Sequence, residues 1–332
     1  MTTLVTGAGL IGTLTARHLV EQGEKVVLFD VAPQREAIAA TLKPHDVPIV
    51  TGDIASYPAL AAAIEAHGIR RIVHTAAMLT AAIKADPPRG IGVNILGAVN
   101  VLEAARKFAL ARVVLASSST VSYAAFNSNP GERYPEDFRM KVLSERPTTF
   151  YSATKLAGEH LALVYAAEFS VDVVLLRYGA VIGEWAGPNR SIPGRLVRTL
   201  LVPAMKGETA IIDDPLLVWR GGDDFVDARD VARANHAALT AAAPRQRVYH
   251  VTFGRMHSFD DFVAATRALY PGFKIDVRVT AKAGFAGFPA VRPSTSDLSA
   301  AEKELGWRPS YALNDALAEC ARHLASARAR AS

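Results

Sequence analysis

The chain has one cysteine, Cys320, among 332 residues, so no internal disulfide can form. A lone thiol fits a reducing compartment, and a cytoplasmic location is expected. Long hydrophobic runs are also missing. Arg, His, Asp or Pro interrupts every apolar stretch well short of the roughly 20 residues that a spanning helix needs, so no membrane role is expected. The chain opens on Thr3-Leu-Val-Thr6 with no basic or long apolar segment before it, and no export signal is read there. The nine histidines are dispersed and no His or Cys cluster has metal-ligand spacing, so no metal is expected.

Charge of one sign is scarce as well. The net charge is +5, and the Lys and Arg residues are scattered among acids instead of gathering with aromatics into a groove. No nucleic-acid partner is expected, and the tail "RHLASARARAS" reads as a fraying helix end. There is no internal repeat, low-complexity tract or flexible linker. What the sequence has in quantity is apolar side chain, 50% against 21% charged, enough to fill one large or two coupled domains.

Up to about residue 180, short β-rich runs alternate with Ala-rich helical stretches, the pattern of parallel βαβ units. Strands are predicted at 3–6, 25–30, 48–51, 71–75, 111–117 and 171–177, each apolar enough for burial on both faces. Helices are predicted over 12–22, 57–67, 93–108 and 152–169. The fold class is α/β: a doubly wound parallel sheet, or Rossmann fold, with a smaller C-terminal α/β lobe. Later strands are expected at 210–212, 247–252 and 274–279, where Pro and Gly become frequent. Residues 1–183 are read as the dinucleotide-binding domain and 184–332 as mainly a substrate lobe, with some segments returning to the first domain. A cleft between the two is the expected ligand site.

"VTGAGLIG" places Gly7, Gly9 and Gly12 in a G-x-G-x-x-G run between the first strand and the first helix. Gly7 permits a tight turn, Gly9 lets backbone approach a pyrophosphate, and Gly12 lets helix and strand pack closely. Leu10 and Ile11, within the loop, are counted with the cofactor site. Asp30 ends the second strand, where an acid can bond both hydroxyls of an adenosine ribose and repel a 2′-phosphate, so NAD is favoured over NADP.

In "LASSSTVSY" an apolar strand runs out into hydroxyl residues, and such a strand end faces the ligand crevice of a parallel sheet. In "TFYSATKLAGE", Tyr151 and Lys155 stand four apart and share a helix face. The same spacing at Tyr270 and Lys274 contains Pro271 and Gly272, which make a shared helical face improbable.

With "TGAGLIG", Asp30, "TGDI", "HTAA", "NILGAVNVLEAAR", "SSST", "YSATK", "LRYGAVIG", "DDFVDARDVARA" and "SDLSAAEKELGWRP" in this order, the sequence resembles the extended short-chain dehydrogenase/reductase family. More narrowly, it resembles the NAD-dependent epimerase/dehydratase branch. The resemblance implies that Tyr151 is the catalytic tyrosine, Lys155 its partner and Ser119 the hydroxyl that holds the reacting oxygen. It further implies that Asp53 and Ile54 flank the adenine, that Ala76 and Ala77 pass under the cofactor and that Asn94 is the polar residue of the following helix. Ser117 and Tyr178 are placed with the cofactor site, and Tyr151 and Lys155 belong to it too. It also implies a homodimer built on helices starting near Gly92 and Ser152.

Chemistry agrees with these roles. A free phenol, with pKa about 10, is a poor base at neutral pH, but a nearby ammonium and an oxidised nicotinamide both favour its phenolate. Tyr151 could then take a proton from a substrate alcohol as hydride leaves its carbon.

Several positions depart from the family pattern. The glycine loop is one residue short of T-G-x-x-G-x-x-G, Ala180 stands where nucleotide-sugar members carry asparagine, and Asp223 stands where they carry arginine. A further phosphate-binding arginine gives way to "GFAGFPAV" ahead of Asp297. An acid in place of a guanidinium repels a diphosphate, although Arg195, Arg198, Arg220 and Arg292 remain to approach one. The segment 184–220, with Trp185, Asn189, Arg190, Ser191 and Trp219, is expected to supply the substrate pocket. The first reading is an NAD-dependent oxidoreductase acting on a secondary alcohol or ketone of a small polar substrate resembling a sugar, sugar acid or hydroxy acid. Alternatives are a nucleotide-sugar 4-epimerase or dehydratase and, from another class, a non-catalytic NAD-binding regulator.

Overall fold

The computed structural model describes residues 1–329. The first half alternates as expected: β1 (Thr2–Thr6), α1 (Leu10–Glu21), β2 (Lys25–Asp30), α2 (Arg35–Leu42), β3 (Ile49–Thr51), α3 (Tyr57–His67) and β4 (Ile69–His74). Then come α4 (Thr80–Ala85), α5 (Pro87–Ile91), a π-helical turn at Gly92–Leu96, α6 (Gly97–Lys107) and β5 (Arg112–Ser118). A 3-10 stretch at Ser119–Ser128, β6 (Arg133–Tyr134), α7 (Phe150–Phe169) and β7 (Val173–Tyr178) complete this half.

The second half contains β8 (Ala180–Ile182), α8 (Ile192–Lys206), β9 (Thr209–Ile212), β10 (Asp223–Asp227), α9 (Ala228–Thr240) and β11 (Val248–Val251). It ends with β12 (Met256–His257), α10 (Phe259–Leu269), β13 (Lys274–Val277), β14 (Thr295–Ser296), α11 (Ser299–Leu305) and α12 (Leu313–Ala329). The end of the tail, 330–332, lies outside the described residues.

Seven strands form one parallel sheet in the order β11-β7-β5-β4-β1-β2-β3. The chain winds outward from β1 through β2 to β3, then returns to lay β4, β5, β7 and β11 on the other side. The reversal between β1 and β4 opens a crevice at the carboxyl ends of the strands. β5 and β7 are buried along their whole length, as the apolar runs predict. The 48–51 run departs from that expectation, because β3 is the edge strand and all three of its residues keep solvent contact. The expected single helix over 93–108 is likewise interrupted by the π turn at its start.

After residue 183 the chain serves both parts. A smaller core gathers under β8, β10 and β12, where Phe225, Phe262 and Phe285 meet Trp219 with ring centres 5.0–5.7 Å apart. β11, however, is the seventh strand of the large sheet, and α9 and α11 pack residues such as Val231 and Ala301 into the same core as Val5 and Leu19. Asn235 of α9, fully buried, is central to this contact: it accepts from the Tyr178 hydroxyl at 2.6 Å and donates to Thr15 of α1 at 2.9 Å. Asn235→Ala leaves two buried partners unsatisfied. It is expected to cost about 2 kcal/mol, seen as a lower urea midpoint with an unchanged slope.

Candidate active site

Gly7 closes β1 with φ +86°, a conformation L side chains avoid, and a Cβ there would stand 2.6 Å from the Ala76 nitrogen. At Gly12 a Cβ would fall 1.8 Å from the Gly7 carbonyl oxygen. Gly9, which caps α1, has nothing within 4 Å of that position. The result is a turn pressed against the loop after β4, with the bare amino end of a 12-residue helix open beside it. Such an end accepts a pyrophosphate. Leu10 and Ile11 begin α1 and pack on the core below.

Asp30 braces this loop. Its carboxylate accepts from the Ala8 nitrogen at 2.7 Å and from Ala32 at 2.8 Å, leaving lone pairs for further donors. Asp53 accepts from the Ala55 nitrogen at 2.9 Å and pairs with Arg89 at 2.8 Å, while Ile54 is buried against Gly97 of α6. Ala76 lies under Gly7, and Ala77 continues the same half-buried loop. Asn94 sits in the π turn with its amide fully engaged: its oxygen accepts from Met78 N at 2.8 Å, and its nitrogen donates to the Met78 carbonyl and to Thr154. It therefore ties the β4 loop to α7.

Thr149 caps α7, its hydroxyl accepting from the Ser152 nitrogen, and the helix brings Tyr151 and Lys155 to the end of β5. Lys155 is buried. Its ammonium donates to the Ala116 carbonyl at 2.7 Å and lies 5.7 Å from the centre of the Tyr151 ring. Burial brings Lys155 down to about 8, with Glu159 acting against it. Burial pushes the Tyr151 phenol up to about 12, opposed by a hydrogen bond with Ser118.

The serine that acts on the Tyr151 phenol is Ser118, next to the Ser119 that the resemblance implies. β5 remains extended through Ser118, then turns at once into the 3-10 stretch, which carries the Ser119 hydroxyl underneath to within 3.4 Å of the Tyr123 hydroxyl. Three consecutive serines hide this choice, because it depends on where the strand stops to within one residue. Two other assignments also face elsewhere. The Ser117 hydroxyl donates to Glu159 at 2.5 Å, and the Tyr178 hydroxyl turns to Asn235.

The arginines left to meet a diphosphate are mostly occupied. Arg195 pairs with Asp214, and Arg198 with Glu184. Arg292 is buried between Asp224, at 2.9 Å, and Asp223, at 3.7 Å, and stacks near the rings of Phe126 and Tyr134. Asp223 in turn accepts from the Tyr123 hydroxyl at 3.0 Å, and burial, partly offset by Arg292, pushes its carboxyl up to about 6. Arg220 is exposed and has no ion pair among the described residues.

Much of the 184–220 segment has structural duties. The Trp185 indole donates to the Pro188 carbonyl, Asn189 to the Gly183 carbonyl, Ser191 caps α8 and Trp219 fills the aromatic core, while Arg190 is exposed. Two clefts, of about 250 and 590 Å³, open beside α12; neither is lined by Ser118, Tyr151 or Lys155. No group of three or more potential metal ligands occurs among the described residues, nor any helix long and apolar enough to cross a membrane.

The comparisons agree with this architecture. A UDP-glucose 4-epimerase from Corynebacterium glutamicum is 28% identical over 325 residues, 94% of this chain and 92% of that protein. Among solved structures, an L-threonine dehydrogenase from Cupriavidus necator superposes with a TM-score of 0.79 at 26% identity, over 98% of this chain and 100% of that one. A UDP-glucose 4-epimerase from Thermus thermophilus in complex with NAD superposes with a TM-score of 0.74, also at 26% identity, over 98% and 99%. The model of the NAD dependent epimerase/dehydratase family matches residues 3–252, and this chain belongs to that family.

Proposed function

We propose that this enzyme uses NAD to interconvert a secondary alcohol and its ketone on a small polar substrate, with Tyr151 as general acid/base. The observation that carries this reading is the buried Lys155 ammonium, held on the Ala116 carbonyl at the carboxyl end of β5 with the Tyr151 ring 5.7 Å away. Gly9 offers the pyrophosphate an open backbone beside the tight turn that Gly7 and Gly12 permit, Asp30 takes the ribose hydroxyls, and Asp53, Ile54, Ala76 and Ala77 line the path of the cofactor. NAD, when bound, supplies the two-electron chemistry at the substrate carbon. Ser118 holds the substrate oxygen, and Tyr151 removes or returns its proton. A phenol held near 12 is almost wholly protonated at neutral pH, so it falls to the adjacent Lys155 charge to make the phenolate reachable.

A small substrate is favoured because Arg292 is sequestered by two aspartates and Asp223 occupies the position of an expected phosphate-binding arginine. The similarity to an L-threonine dehydrogenase, whose named substrate is a small secondary alcohol, supports this choice. The second reading, a nucleotide-sugar 4-epimerase, uses the same proton step and is favoured by the 28% identity to a UDP-glucose 4-epimerase. The pairing of two copies is also part of the proposal. Leu96 of the π turn and Val164 and Phe169 of α7 leave apolar side chains exposed along the helices expected to form the dimer.

Purified enzyme screened for NAD reduction on L-threonine, hydroxy acids, sugar acids and free sugars should turn over one of these classes. Turnover of UDP-glucose without external NAD would favour the second reading. Tyr151→Phe should lower kcat at least 10²-fold, roughly the share of general acid/base catalysis. Ser118→Ala should come close to that loss, while Ser119→Ala stays within a few-fold; the reverse order would return the role to Ser119. Alcohol oxidation should rise with pH and then fall above about 8, where Lys155 gives up its proton and the phenolate loses its partner. Gly12→Val should abolish NAD binding in a fluorescence titration, because its side chain would meet the Gly7 carbonyl. Val164→Glu should convert the dimer to a monomer by light scattering.

A further inference from the structure

Three neighbouring β5 residues receive three successive turns of α7. Ser118 lowers the phenol pKa of Tyr151, the Ala116 carbonyl accepts from Lys155 at 2.7 Å, and the Ser117 hydroxyl donates to Glu159 at 2.5 Å. Glu159 is 1% exposed and bound from a second strand as well: Arg177 of β7 donates to its two oxygens at 2.8 and 2.7 Å. Arg177 is fixed in turn by the Glu136 carbonyl at 2.6 Å and by the Phe138 ring, 5.1 Å from the guanidinium. One carboxylate thus joins α7 to two strands of the sheet, a single turn beyond Lys155.

We propose that Glu159 is a positioning residue for the Tyr151–Lys155 pair: anchored on Ser117 and Arg177, it fixes the register of α7 against β5 one turn beyond Lys155. The inference rests on the acid/base reading of Tyr151 and Lys155 given above. The groups facing Lys155 are Tyr151 and Glu159 on its own helix, the Ala116 carbonyl on β5 and His74 on β4. His74 adds no charge near neutrality, since burial and then the Lys155 charge bring it down to about 3. Beyond Arg177 lies His250 of β11, also kept neutral by burial and then by Arg177 and Arg292. Glu159 is therefore the charge that offsets the burial of Lys155, and removing it also leaves Arg177 uncompensated.

The test reads the Lys155 proton directly. Full-length protein carrying ¹³C-lysine is titrated by NMR, with the Lys155 signal assigned by its loss in Lys155→Arg. In Glu159→Gln the midpoint should move acidward by about one unit, the size of a close charge contact, and Tm should fall. In Glu159→Gln/Arg177→Met, which replaces the buried ion pair by neutral groups, Tm should recover while the Lys155 midpoint stays low. A midpoint unmoved in the folded double variant, or one that recovers together with Tm, would overturn the proposal by leaving Glu159 a purely structural role. If Glu159→Gln fails to fold, the double variant decides. Failure of the underlying reading is separate: it would appear as full activity in Tyr151→Phe, whatever Lys155 does.

Discussion

Lys155 carries an ammonium into a nearly dry interior, and the parts around it are arranged so that it can stay charged. A lone buried charge costs far more than a hydrogen bond returns, unless partners of opposite sign and fixed geometry surround it. Here the partners are a main-chain carbonyl on β5, a carboxylate one turn along α7 and the face of an aromatic ring. None of these can move without the others, since the carboxylate is itself gripped by Ser117 and Arg177. α7 consequently has little freedom to slide or roll on the sheet. The distance between phenol and ammonium is inherited from that constraint.

The second lobe solves a different problem with the same means. Arg292, Asp223, Asp224 and Tyr123 form a buried set walled by Phe126, Tyr134 and Phe288, in which Arg292 Nη1 keeps no hydrogen-bond partner. An arginine so enclosed would have to break its contacts with two carboxylates before it could serve a ligand phosphate.

Much of this was legible beforehand, and the reasons are local. Glycines at 7 and 12 have no alternative once strand and helix cross so closely, so the phosphate loop reads straight from its spacing. Tyr151 and Lys155 could be told apart from Tyr270 and Lys274 because α10 ends at Leu269 and Lys274 begins a strand, as Pro271 and Gly272 imply. Where the reading missed, long-range contact decided. Ser118, Ser119 and Ser117 are chemically alike, and their roles follow from the residue at which β5 leaves its neighbours. Arg292 looked free because the acids that hold it are about 70 positions away in the chain. Nothing in the local sequence marks Glu159, because its partner Arg177 lies on the separate strand β7.

The placement of β11 shapes how this protein can be divided. Residues 248–251 seal the outer side of β7 in parallel register, so the large sheet is finished only after nearly half of the second lobe has been synthesised. A fragment cut after residue 183 would present β7, an entirely apolar-flanked strand, as a bare edge ready to pair with another chain. Such a piece should be sticky instead of a free-standing nucleotide-binding module. The sheet that houses the cofactor is a joint product of both ends of the chain, and it would resist being borrowed as a separate part.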